Sequence, residues 1–201
     1  MKKLSTQTEP PAPSVAVAVA DHVGITNASF RWEPSEIAFE KLKGFSTVYT
    51  VVTDKKEKFV AKLGLMKANN DLVLTFLYYA PGLVSRSEWL SVAKDQPLHL
   101  ELDIDPKTSN VVYWVNDKGM DMGVLPGFKG GADRAVWAAF GMQGGDMLSG
   151  KLSNCAYATA AGWRATAFGK EHIVRNDLHP DHSVETLAHN SIAIGNRRFV
   201  A

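Results

Sequence analysis

Residues 97–116 (PLHLELDIDPKTSNVVYWVN) constrain the fold more than any other part of the chain. Leu98, Leu100, Leu102 and Ile104 alternate with His99, Glu101 and Asp103, the period of a strand with one buried face. Residues 105–110 (DPKTSN) have the chemistry of a tight turn. The second strand then places Ile104 opposite Val111, Leu102 opposite Tyr113 and Leu100 opposite Val115. The other face pairs Asp103 with Val112, Glu101 with Trp114 and His99 with Asn116. A slip of one residue would destroy this agreement, because neighbouring side chains alternate faces.

Short strands of this kind recur along the chain. Residues 24–32, 45–53, 59–67, 72–80, 135–142 and 151–160 are apolar or alternating, and turn residues separate them. In 59–67 the inward set is Phe59, Ala61, Leu63 and Leu65. The run 72–80 reads as a strand buried on both faces. Residues 33–43, with Pro34 in the first turn and Gly44 as the stop, have helical spacing. Residues 183–189 form a second short helical pattern, and 118–133 read as a glycine-rich loop. The expected class is therefore all-β: an antiparallel sandwich of jelly-roll type, with one or two short helices and flexible extensions at both ends.

The chain divides into an arm over 1–22, a sandwich over 23–163 and a C-terminal extension over 164–201. In the arm, Pro10, Pro11 and Pro13 resist packing. Residues 14–20 either add as an edge strand to a neighbour or stay disordered. The 201 residues are 45% hydrophobic and 21% charged, enough for one cored domain. The formal net charge of +1 gives no field that would draw nucleic acid, and the arm holds only Lys2 and Lys3 as a basic cluster. No apolar run is long enough to span a membrane. The segment VAVAVA after a proline-rich stretch is too short for an export signal, so a cytoplasmic or virion location is favoured over secretion. The single Cys155 excludes an intrachain disulfide and reads as a buried strand residue.

The polar hairpin face is the candidate site. Trp114 among Glu101, Asp103, His99 and Asn116 combines a flat ring with hydroxyl-binding acceptors, which suits a glycan. Trp89, in the preceding connection, is within reach of the same face. The competing reading is a face covered by a loop, the C-terminal extension or a second subunit. His179 and His182, with His172 and His189 nearby, lack the spacing of a ligand set, so no metal and no cofactor are expected. Asn27-Ala28-Ser29 is a glycosylation sequon that matters only on a secreted chain.

The hairpin resembles the concanavalin A-like superfamily, especially laminin G-like modules and their glucanase relatives. The residues that carry the resemblance are Leu98-His99-Leu100-Glu101-Leu102-Asp103 and Val111-Val112-Tyr113-Trp114-Val115-Asn116-Asp117, with residues 140–145 (FGMQGG) and 148–154 downstream. It covers about half the chain and implies a sandwich that binds carbohydrate. Glu101-Leu102-Asp103-Ile104-Asp105 mimics the catalytic strand of those glucanases but lies in the wrong strand. Glu101 and Asp105 stand ~13 Å apart along it, too far for a retaining pair. No catalytic residue is therefore assigned, and a non-catalytic binding module is expected. The alternatives are a jelly-roll coat subunit that self-associates through its terminal extensions, and a lyase or cyclase on a sandwich scaffold.

Overall fold

The computed structural model describes residues 14–35, 46–54, 60–68, 71–79, 86–93, 95–125, 128, 130–141, 148–166, 174–176, 182–188 and 191–196. These form fifteen strands: β1 (Ser14–Ile25), β2 (Asn27–Pro34), β3 (Ser46–Thr53), β4 (Val60–Ala68), β5 (Asp71–Tyr79), β6 (Arg86–Ser91), β7 (Leu98–Ile104), β8 (Asn110–Val115), β9 (Lys118–Val124), β10 (Ala132–Gly141), β11 (Gly150–Thr159), β12 (Gly162–Ala165), β13 (Val174–Asn176), β14 (His182–Ala188) and β15 (Ser191–Asn196). One sheet runs β13-β1-β10-β3-β4-β5-β6; the other runs β14-β15-β11-β2-β7-β8-β9, with β12 also on β11. All pairings are antiparallel, and the two sheets share one core. The expected sandwich class is what the chain adopts.

The core follows from alternation. Leu100, Leu102 and Ile104 on β7, Phe30 and Trp32 on β2, and Leu63 and Leu65 on β4 are all fully buried. Each such side chain contributes ~1.5–3 kcal/mol when removed from water. Two contacts tie the sheets together. The rings of Phe76 and Tyr113 stack at 5.8 Å between centroids, and Trp137 Nε1 donates to the Ser29 carbonyl at 2.9 Å. Cys155 is buried in this core, and burial pushes its thiol pKa well up, which leaves it unreactive.

The hairpin register matches the sequence pattern: Glu101 pairs with Trp114, Leu102 with Tyr113 and Ile104 with Val111. Asp105 accepts the N–H groups of Lys107 at 2.7 Å and Thr108 at 3.0 Å, closing the turn.

Several expectations are corrected. Glu33 and Pro34 belong to β2 rather than to a helix, because Glu33 pairs with Lys151 in the ladder; residues 36–43 lie outside the described residues. Residues 182–188 form β14, not a helix, since Val184 and Thr186 pair with Ile194 and Ile192 of β15. The glycine-rich 118–124 is strand β9, paired to β8. Residues 14–22, expected within the arm, are part of β1, which pairs with β10 of the same chain. Within the expected extension over 164–201, β14 and β15 join one sheet and β13 the other, and β12 runs into the extension from Gly162.

Candidate functional site

The outer face of the second sheet is built in rows, because directly paired residues share a face. One row reads Trp163, Ala158, Asn27, Asp103 and Val112 across β12, β11, β2, β7 and β8. The next reads Ala165, Ala156, Ser29, Glu101, Trp114 and Gly119, ending on β9. Small residues hold the middle of both rows. Ser29 at 3% and Ala158 at 7% exposure are buried on a face that points away from the core. Their taller neighbours therefore wall a shallow trough.

In this trough the Asn27 side-chain amide donates to Glu101 Oε1 at 2.8 Å. An ionised carboxylate only accepts, so the NH2 end of Asn27 must face it. Thr26 fixes the other end by donating its hydroxyl to Asn27 Oδ1 at 2.8 Å. Burial raises the Glu101 pKa; the Asn27 bond and His99 oppose this, while the Asp103 charge adds to it. Burial likewise raises Asp103, opposed by its bond from Asn27 and helped by Asp105. One amide thus faces two carboxyl groups, both held toward neutrality. They sit on alternate residues of β7, about 7 Å apart along the strand.

Asn27 and Asp103 also line a cleft of about 630 Å³ at this end of the sandwich. The β1–β2, β7–β8 and β11–β12 connections form its other walls, with Lys107 and Ala161 among them. A cleft of this volume falls in the range of small-ligand sites.

The remaining expected site residues separate. His99 is half-buried on the same face as Glu101. Trp114 is 37% exposed and stands opposite Glu101, but its ring lies toward β9: a Cβ added at Gly119 would meet Trp114 Cζ3 at 2.8 Å. The absence of a side chain at Gly119 is what seats the indole there. Asn116 serves the backbone. Its N–H donates to the His99 carbonyl at 2.7 Å, and its Oδ1 accepts the His99 N–H at 2.9 Å. Its φ of 53° makes it a turn residue. Trp89 lies on β6, in the opposite sheet, so it cannot share this face. His172, His179 and His189 lie outside the described residues, and only the backbone of His182 is placed. Among the described residues no group of three metal-ligating side chains comes together.

Sequence reasoning missed Asn27 as a site residue. Its only signal was the sequon, yet Ser29 is buried and the Asn27 amide is engaged with Glu101.

No protein-family model matches the chain, and no curated protein matches it by sequence. Solved structures do match. A scytalidoglutamic peptidase with a transition-state analog inhibitor superposes with TM-score 0.64 at 6% identity, over 92% of this chain and 100% of that one. SCP-B, a member of the Eqolisin family of peptidases in complex with the tripeptide Ala-Ile-His, gives 0.56 at 6% identity over the same shares. The likeness is one of fold. The expectation of a non-catalytic binding module is corrected by this finding, because these two full-length matches are peptidases. The resemblance to concanavalin A-like chains holds at the level of the two-sheet sandwich.

Proposed function

We propose that this chain is a carboxyl-dependent hydrolase that cuts peptides. The observation that carries the reading is the Asn27–Glu101 hydrogen bond of 2.8 Å, made by an amide that also lines the cleft together with Asp103. The full-length fold likeness to peptidases supports the substrate class.

In this reading Glu101, ionised, takes a proton from a water that attacks the scissile carbonyl. A C–O bond forms, and the carbonyl π pair moves onto oxygen. Asp103, protonated, donates a hydrogen bond to that oxygen. As the C–N bond breaks, Glu101 returns its proton to the leaving nitrogen, giving a carboxylic acid and an amine. Raised carboxyl pKa values suit both roles, because a more basic Glu101 accepts the proton more readily and Asp103 holds a proton to a higher pH than an ordinary carboxyl. Asn27 fixes the Glu101 carboxyl in place through its bond to Oε1. Its role is positioning.

The test is cleavage of a mixed peptide library from about pH 3 to about pH 8, spanning carboxyl titration. Glu101→Gln keeps the shape and its bond from Asn27 but cannot take a proton. Its rate is expected to fall by about 10²-fold or more. Wild-type protein that cuts no peptide, or a Gln variant as active as wild type, overturns the reading.

A further inference from the structure

We infer that Trp163 forms a wall of the same trough and takes an apolar side chain of an extended peptide, about four residues from the bond that is cut. The identity of the occupant rests on the peptidase reading; the location of the wall does not.

The geometry is a single row of the ladder. Trp163 pairs with Ala158, Ala158 with Asn27, and Asn27 with Asp103. Trp163 therefore stands on the outer face that carries the carboxyl groups, three strand spacings or ~14 Å from Asp103. An extended peptide rises ~3.3 Å per residue, so that span corresponds to about four residues of a peptide lying across the strands. Among the described residues, the ladder sets only Ala158 between Trp163 and Asn27, and the adjacent row offers Ala156 and Ser29, all short side chains.

The β11–β12 turn makes the same connection. Thr159, Ala160 and Ala161 line the cleft together with Asn27 and Asp103. Gly162, at φ 106°, permits the tight return that aligns Trp163 with Ala158. All four residues of β12 are exposed, and Trp163 is 52% exposed. A tryptophan in an otherwise apolar-poor, fully exposed strand contributes little to the core, whereas a large flat ring beside a cleft offers contact area to an apolar group at low entropic cost. Across the trough Trp114, seated on Gly119, faces solvent from the β8 side. The two indoles thus bracket the carboxyl cluster.

The experiment compares wild type, Trp163→Ala and Trp163→Phe, with Arg164→Ala as a neighbouring exposed control. Cleavage-site profiles are read by mass spectrometry on a peptide library. Binding of uncut phenylalanine-containing peptides is read by calorimetry in the Glu101→Gln background, where no turnover interferes. Trp163→Ala is expected to flatten the preference for an apolar residue about four positions from the cut. It is also expected to weaken peptide binding about tenfold, with the loss falling on KM rather than kcat. Trp163→Phe should restore most of both, and Arg164→Ala should alter neither. If wild type cuts peptides and Trp163→Ala keeps the same profile and affinity, the inference is wrong while the peptidase reading stands. If nothing is cut but apolar peptides bind through Trp163, hydrolysis falls and this wall stands. If no peptide binds, both fall.

Discussion

Glu101 and Asp105 lie on the same short segment, yet their environments push them in opposite directions. Burial raises Glu101. Backbone N–H groups of Thr108 and Lys107 lower Asp105. The consequences for stability have opposite sign. A carboxyl raised in the folded state gives its full contribution at low pH and loses it as pH rises through the raised value. One that is lowered contributes at high pH and loses it as pH falls through the lowered value. Glu101→Gln cannot ionise, so its melting temperature should equal or exceed that of wild type at neutral pH. The gap should close below the ordinary carboxyl range. Asp105→Asn should melt below wild type at neutral pH, and its deficit should shrink on acidification. Thermal melts from about pH 3 to about pH 7 check both; a gap in Glu101→Gln that widens on acidification would contradict the burial argument. At this scale the sequence showed Glu101 and Asp103, because strict alternation with leucine fixes which face they occupy. Asn27 stayed hidden because its partner is 74 positions away, and no local pattern pairs β2 with β7. Asn116 looked like a ligand because alternation says nothing about a residue that has already left the strand for a positive-φ turn.

The β7–β8–β9 meander shows which elements can be read and which cannot. β7 and β8 were legible together: two independent alternations demand the same register, and a single core face satisfies both. β9 was not, because Gly119 and Gly123 resemble loop glycines. Their meaning is only visible with the neighbouring strand in place, where Gly119 makes room for the Trp114 ring and Gly123, at φ 85°, marks the irregularity opposite Val111 and Val112. β14 was misread for a similar reason. Its six-residue partner β15 supplies the pairing, and a short isolated segment carries too few residues to separate a helical period from an alternating one. The meander also makes a quantitative demand. Leu102 is fully buried, with Ala28 and Tyr113 as its ladder partners. Leu102→Ala should lower unfolding free energy by ~2–5 kcal/mol in a denaturant titration. A loss below about 1 kcal/mol would mean that the site collapses around the missing side chain and that this face is not the tightly packed core described.

At the scale of the whole molecule, the first and last described strands both belong to the sandwich. β1 is an interior strand, with β10 on one side and β13 on the other, and it brings the buried Ala20 and Ile25. β14 and β15 continue the second sheet beyond β11. The local sequence could not reveal this, since residues 14–20 are small and alternating and suit an own-chain strand as well as a neighbour's edge. The same arrangement keeps self-association open as a proposal: an end strand that pairs within one chain can pair with the equivalent strand of a second copy. Removing residues 1–25 separates these cases. β10 would lose its β1 partner from Ala132 to Phe140 and present a long unpaired edge. The truncated chain should therefore give aggregates in light scattering and lose the cooperative melt of wild type. Adding residues 14–25 back as a separate peptide should restore a soluble species, because the pairing with β10 does not require covalent continuity. A truncated chain that stays monodisperse with an unchanged melt would show that β1 is dispensable. The first sheet would then be held from β10 onward, and the chain ends would be free to pair with another copy.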